Sequence, residues 1–226
     1  MPIPIEIYRK AQRHLSRRDA VLKKLIAGIG PCTLYYEPDR FRALVRSIIA
    51  QQISTKAANS IRGRVEAALG RKGITPQAIL RATPEALCAA GLSAAKERSL
   101  RDLAEKVHCG AVPLDQLHEW SDEDVIEHLI PVRGIGRWTA EMFLIFSLGR
   151  LDVLPVNDLG LRVGVQRQYG LEKQPTKHAL VELAEPWRPY RSIATWYFWR
   201  SFGPVPQSDA ATKERLNAQP KGERAQ

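Results

Sequence analysis

Val132-Arg133-Gly134-Ile135-Gly136-Arg137-Trp138-Thr139-Ala140 decides the reading of this chain. Ahead of it, Ser121-Asp122-Glu123-Asp124 has a helix N-cap followed by acids in the first turn, where the helix dipole favours them. That helix runs through Val125, Ile126, Leu129 and Ile130 and breaks at Pro131. Behind the block, Met142-Phe143-Leu144-Ile145-Phe146 is the apolar run of a second helix. The two glycines let the backbone turn tightly and approach a partner closely. First-turn N–H groups of the second helix lack an intrahelical acceptor, so beside Gly136 they can hold a phosphate. Alone, a Gly-x-Gly turn is equally compatible with a plain helix–helix connection closed by a glycine C-cap.

Helical punctuation continues outward in both directions. Phe41, Leu44, Val45, Ile48, Ile49 and Ile53 recur at three- and four-residue steps, which predicts one face of a long helix. Thr75-Pro76 and Thr83-Pro84 each read as an N-cap followed by proline in the first turn. Ser93 opens a further segment with Leu100, Leu103, Ala104 and Val107 on one face, and a first helix is expected near residues 6–27. Leu151 to Val156 is apolar enough for a short strand, but its prolines favour a loop. The expectation is an all-α protein of about ten helices, in two helical subdomains with a cleft between them.

The boundaries are expected at Pro31 to Asp39 or at Gly110 to Trp120. Residues 39–185 would form a central subdomain containing the helix-hairpin-helix at 121–149. Residues 1–38 and 186–205 would form the second, and the polar stretch 206–226 a flexible tail.

Composition bounds the function class. The 226 residues carry 34 Lys+Arg against 24 Asp+Glu, a formal charge of +10. At 44% hydrophobic and 26% charged, the chain has the balance of an ordinary globular protein. No apolar run approaches the ~18–20 residues of a membrane span. The first residues lack the charged-then-apolar order of a secretory signal. Cys32, Cys88 and Cys109 are odd in number and far apart, the pattern of reduced cytoplasmic thiols and not of a disulfide or four-cysteine cluster. The five histidines show no ligand spacing, so no zinc is expected. The positive charge suits a polyanion without proving one.

The hairpin block, together with Leu154-Pro155-Val156-Asn157-Asp158-Leu159-Gly160-Leu161-Arg162, resembles the helix-hairpin-helix–Gly/Pro–Asp DNA glycosylases. Within them it resembles the AlkA-type 3-methyladenine DNA glycosylase II branch, with tryptophan in the Arg-Trp-Thr-Ala block and an aspartate at a later helix start, here 20 residues on (158 − 138). Ser47-Ile48-Ile49-Ala50-Gln51-Gln52-Ile53-Ser54 and Trp187-Arg188-Pro189-Tyr190-Arg191-Ser192, ending in Trp199, resemble further family blocks. The likeness spans roughly residues 39–203. It departs from the family pattern at Arg133, often proline there, and the chain shows no pattern for the N-terminal α/β domain of the larger AlkA enzymes. Lyase-competent branches place lysine where Trp138 stands, and several carry a four-cysteine iron–sulfur loop that has no counterpart here.

The resemblance implies a monofunctional glycosylase that hydrolyses the base–sugar bond of alkylated bases, 3-methyladenine foremost, in double-stranded DNA. Asp158 becomes the catalytic carboxylate, although an aspartate at a helix start is by itself an ordinary N-cap. Breaking an N-glycosidic bond builds positive charge on the sugar, and a fixed carboxylate stabilises it and can activate water. Asp152, the nearest competitor, lacks the motif position. Trp138 and Trp199 are candidate walls of a base pocket, since a tryptophan face attracts a cationic base; Met142 and Tyr197 are further candidates, and Trp187 and Trp196 are assigned to packing. Gln51 and Gln52 stand at the family position that fills the gap left by a flipped base, where a plug recovers part of the few kcal/mol that flipping costs; the family often places leucine there, and Gln52 could instead hydrogen-bond the orphaned base. Gly134, Ile135, Gly136, Arg137, Thr139 and Arg133 are the expected contacts to DNA, with Arg162 a further phosphate partner. The family hairpin can hold a monovalent cation, which here would rest on the carbonyls of Ile130, Arg133 and Ile135. No organic cofactor is expected, and the implied protein is a monomer, with no membrane association, in a bacterial-type cytoplasm. A non-catalytic helix-hairpin-helix DNA-binding protein, or a glycosylase for oxidised or mismatched bases, are the competing readings.

Overall fold

The computed structural model describes residues 4–203; the expected tail at 206–226 lies outside them. Twelve α-helices occur among these residues: α1 Ile5–Arg18, α2 Ala20–Ile29, α3 Arg40–Ala50, α4 Thr55–Leu69, α5 Pro76–Arg81, α6 Pro84–Ala89, α7 Ala94–His108, α8 Asp122–Leu129, α9 Arg137–Phe146, α10 Leu159–Tyr169, α11 Lys177–Leu183 and α12 Arg191–Arg200. No strand is present among them, and 151–156 is a loop as expected. The side chains of Thr75, Thr83, Ser93 and Ser121 each accept a first-turn N–H, so the starts read from local chemistry are the observed ones.

The expected single helix at 6–27 is instead two. Asp19 is extended (φ −146°, ψ 117°), and its Oδ1 caps α2 by accepting the N–H groups of Val21 and Leu22. Its Oδ2 accepts the Tyr169 hydroxyl and the Trp187 indole N–H, partners 150 and 168 residues away. These distant donors fix the carboxylate where a continuous helix would not put it. The long face Phe41–Ile53 is also cut short. Phe41, Leu44, Val45, Ile48 and Ile49 are buried on α3, whereas Ile53 lies beyond its end and is exposed.

The chain divides into two compact units. One is Tyr36–Pro155; the other combines residues 4–35 with 156–203. The crossover expected at Pro31 to Asp39 therefore contains the boundary, and Gly110 to Trp120 does not. Residues 156–185 were expected in the central subdomain, and the structure corrects this: α10 packs on α12. Gly164 makes that approach possible, because a Cβ there would sit 3.0 Å from Phe198 Cβ. In this discontinuous unit Leu15, Leu22, Leu161, Val165, Trp187, Trp196 and Phe198 are buried. In the Tyr36–Pro155 unit α3 packs on α4, α7 and α9, and α8 packs on α9. Each fully buried Leu, Ile or Val in these cores contributes roughly 1.5–3 kcal/mol. No described helix is long and apolar enough to cross a membrane.

Candidate functional site

The discontinuous unit holds the carboxylate. Asp158 is extended and caps α10, its Oδ1 accepting Leu161 N–H at 2.6 Å. The same oxygen accepts the Trp199 Nε1 hydrogen at 2.8 Å, so two donors from two helices converge on it. Asp158 is only 8% exposed. Gly160 keeps this corner intact: a Cβ there would stand 3.2 Å from both Asp158 Oδ1 and Trp199 Cδ1. Asp158 thus serves as an ordinary helix cap, and Trp199 lies against the carboxylate itself.

Tyr197 does not line a pocket as expected. It is fully buried, its hydroxyl donating to Gly30 carbonyl at 2.9 Å and accepting from Gln12 Nε2 at 2.9 Å. Burial pushes its phenol well above the ordinary range. On α12, residues 197 and 199 point about 200° apart, so their fates differ. Arg162 donates Nε to the Pro175 carbonyl at 3.3 Å, within its own unit.

The hairpin belongs to the Tyr36–Pro155 unit, and its two glycines have different tasks. Gly134 has φ +78°, and an added Cβ would lie 2.7 Å from Ser99 Oγ. It is the turn residue, held against α7. Gly136 is extended, caps α9 without any side chain, and has nothing within 4 Å of where a Cβ would stand. It is open to an incoming partner. Ile135 is buried, so only its backbone can meet one, and Thr139 is buried as well. Met142 is buried, whereas Trp138 is 42% exposed in the first turn of α9.

Arg137 does not present a bare cation to a phosphate. Its guanidinium pairs with Glu123 of α8 through two nitrogens and with Glu141 at 3.3 Å, holding α8 to α9. The Glu123 hydrogen bond raises its already high pKa further. Arg133 keeps an exposed side chain, while its N–H donates to Asp102 Oδ2 at 2.7 Å. Within the hairpin, the Val132 and Ile135 N–H groups take the carbonyls of Leu129 and Val132. The carbonyls of Ile130, Arg133 and Ile135 are not used by them.

Gln51 follows α3 directly. Its Nε2 donates to the Gly134 carbonyl at 2.8 Å and lies 3.4 Å from Thr139 Oγ1, so it braces the hairpin. Gln52 is exposed at φ 58°, the one non-glycine residue in the left-handed region among those described. Such a conformation costs on the order of 1–3 kcal/mol and persists where the surroundings enforce it.

Three residues of α7 that carry no motif signal support this surface. Lys96 Nζ donates to the Ile49 and Gln51 carbonyls, Ser99 lies under Gly134, and Asp102 accepts Arg133 N–H. Burial lowers the Lys96 pKa. Burial opposes the charge of Asp102, but hydrogen bonds from Lys106 and Arg133 hold its carboxyl below the ordinary range. The only trace in the sequence is a three-residue polar step beside the buried Leu100 and Leu103.

The sequence profile of the HhH-GPD superfamily of base excision DNA repair proteins matches residues 45–189. DNA-3-methyladenine glycosylase 1 of Schizosaccharomyces pombe is 37% identical over 201 residues, covering 85% of this chain and 86% of its own. The alkylbase DNA glycosidase-like protein mag2 of the same organism is 33% identical over 198 residues, covering 85% of this chain and 93% of its own. The solved structure of S. pombe 3-methyladenine DNA glycosylase (Mag1) in complex with abasic DNA superposes with a TM-score of 0.78. It is 36% identical and covers 87% of this chain and 98% of the other.

Proposed function

This chain belongs to the HhH-GPD superfamily of base excision DNA repair proteins, and from that premise we propose that it is a monofunctional DNA glycosylase. It hydrolyses the N-glycosidic bond of alkylated bases, 3-methyladenine foremost, in double-stranded DNA. The observation that carries this reading is Asp158, buried and fixed through Oδ1 by Leu161 N–H and Trp199 Nε1. A non-catalytic DNA-binding module has no need of that corner.

The chemistry follows from charge. As the bond between C1′ and the base nitrogen lengthens, its electron pair leaves with the base and positive charge builds on the deoxyribose. Asp158 supplies the opposing charge from a fixed position and accepts a proton from the water that adds to C1′. A cationic alkylated base leaves as a neutral molecule, so it needs little help from a general acid. Trp199, beside the carboxylate, offers an aromatic face to such a base. With Trp138 in place of a hairpin lysine, that position offers no amine for covalent attack on C1′, so the products are free base and an intact abasic strand.

The hairpin grips backbone. Gly136 admits a phosphate to the first-turn N–H groups of α9, and Arg133 adds charge beside it. A monovalent cation on the carbonyls of Ile130, Arg133 and Ile135 would add positive charge facing the same phosphate. Gln52 fills the space that the flipped base leaves, with Gln51 behind it. No organic cofactor is required. The protein works as a monomer, in the cytoplasm and on chromosomal DNA.

Incubation with methylated duplex DNA should release free methylated base and leave alkali-labile abasic sites. Tight binding without release by the folded protein would instead identify a non-catalytic module. Release confined to oxidised or mismatched bases would reassign the substrate.

A further inference from the structure

We infer that Lys96 is a positioning residue that locks the loop bearing Gln52, and so sets how efficiently a paired base is extruded. The inference rests on the proposed glycosylase function and deepens it. The loop after α3 is poorly held by its own backbone: Gln51 N–H reaches Ile48 carbonyl at 3.4 Å, and Ile53 N–H reaches Ala50 carbonyl at 3.5 Å. Both distances are at the weak limit for such bonds. Lys96 Nζ, by contrast, lies 2.7 Å from the Ile49 carbonyl and 2.9 Å from that of Gln51. These are charge-assisted bonds, about twice as strong as neutral ones. They also place a cation at the carbonyl end of α3, where the helix dipole favours it.

The lock is local in its target. It spans the α3 terminus from Ile49 to Gln51, immediately before Gln52 at φ 58°. Two further residues of α7, Ser99 and Asp102, seat the hairpin at Gly134 and Arg133. One helix thus carries supports for both the hairpin and the loop, and the bonds of Lys96 fall on the loop backbone, while the Gln51 side chain reaches the hairpin. A plug held in place offsets the lost stacking of a flipped base. A loose plug would be ordered only on binding, at an entropic cost paid in the flipping step.

The test compares one methylated purine in two settings, fully paired in a duplex and unpaired in a bulge of the same sequence. Lys96→Met should lower single-turnover excision from the paired duplex by about tenfold, the loss expected for a charge-assisted bond. On the bulge the change should stay below about threefold, and affinity for undamaged duplex should be nearly unchanged. Lys96→Arg, which keeps the charge and donors, should recover part of the paired rate. If Lys96→Met does not fold, the same ratio is read on Lys96→Gln. Equal losses on both substrates, or no loss on either in the folded variant, would overturn the inference. Amide exchange in the free protein reads the lock without any substrate: Gln52 and Ile53 should exchange faster in Lys96→Met, and unchanged exchange would also overturn it. A wild-type protein that releases no base would refute the glycosylase reading, while the exchange result would still decide the lock.

Discussion

The Asp158 corner and the hairpin bind their working groups in opposite ways. At Asp158 the proposed work falls to a side chain, which is buried, doubly hydrogen-bonded and crowded by Gly160 and Trp199. At the hairpin the proposed grip falls to the backbone, and side chains such as Gln51, Ser99 and Asp102 brace it from behind. A reaction centre needs one charge at one point, which demands a crowded pocket of donors. A grip on a repeating phosphate backbone needs N–H groups that any sequence can meet, which demands an open surface. Substitutions should therefore separate the two: chemistry without affinity in one region, affinity without chemistry in the other.

The largest effect should come from Asp158→Asn. Asparagine caps a helix nearly as well as aspartate, so the melting temperature should barely move. Base release should fall by about a thousandfold, the scale of removing charge stabilisation beside a developing cation. Single-turnover excision and duplex affinity, measured on the same preparation, check this. A near wild-type rate would remove Asp158 from the mechanism. In the same assay borohydride should trap no enzyme–DNA adduct, and efficient trapping would reveal an amine nucleophile.

Trp199→Ala should slow excision of cationic 3-methyladenine by at least about tenfold, from a lost cation–π contact of ~1–2 kcal/mol. Binding to undamaged duplex should change far less. Trp199→Phe sharpens the comparison, because it keeps an aromatic face and removes the N–H that holds Asp158. Part of the rate should remain. Loss equal to that of Trp199→Ala would assign this tryptophan wholly to the carboxylate, and a folded Trp199→Ala protein at the wild-type rate would assign it to the core.

The two hairpin glycines should then part company. Gly134→Ala meets both a left-handed backbone and Ser99, and should destabilise the protein by about 1–2 kcal/mol as well as weaken binding. Gly136→Ala should leave stability within about 0.5 kcal/mol, yet weaken lesion and plain duplex alike. Thermal melts beside titrations at several salt concentrations check both. Affinity should fall steeply with salt, as phosphate contacts release condensed cations, and a flat salt response would argue against the grip.

The smallest effect concerns reactivity. Cys32 is buried, with its thiol pushed up to about 12, and should resist iodoacetamide until the protein unfolds. Cys109 is exposed and should be labelled in the native state. Mass spectrometry of the labelled protein distinguishes the two.

Features that rest on neighbouring residues were legible in the sequence. Thr75-Pro76, Thr83-Pro84, Ser93 and Ser121 start helices because cap and N–H lie within one turn. The hairpin was legible for the same reason, and Asp158 through its motif. Features that rest on distant partners were not. The break at Asp19 depends on Tyr169 and Trp187, and the burial of Tyr197 on Gly30 and Gln12. Arg137 reads as a free cation until α8 brings Glu123 beside it. Lys96, Ser99 and Asp102 read as the wet side of an ordinary helix, because nothing local marks what α7 lies beneath.

The carboxylate unit is made from two segments on either side of Tyr36–Pro155, and that orders events at the ribosome. Tyr36–Pro155 is continuous, so the hairpin and its braces can fold as soon as that stretch has emerged. Asp158 cannot be set until α12 delivers Trp199, long after α1 and α2 have been made. Until then Asp19 lacks both of its distant donors, and the N-terminal helices have no finished core to join. A nascent or truncated chain ending before α12 would therefore carry the hairpin with no assembled Asp158 corner.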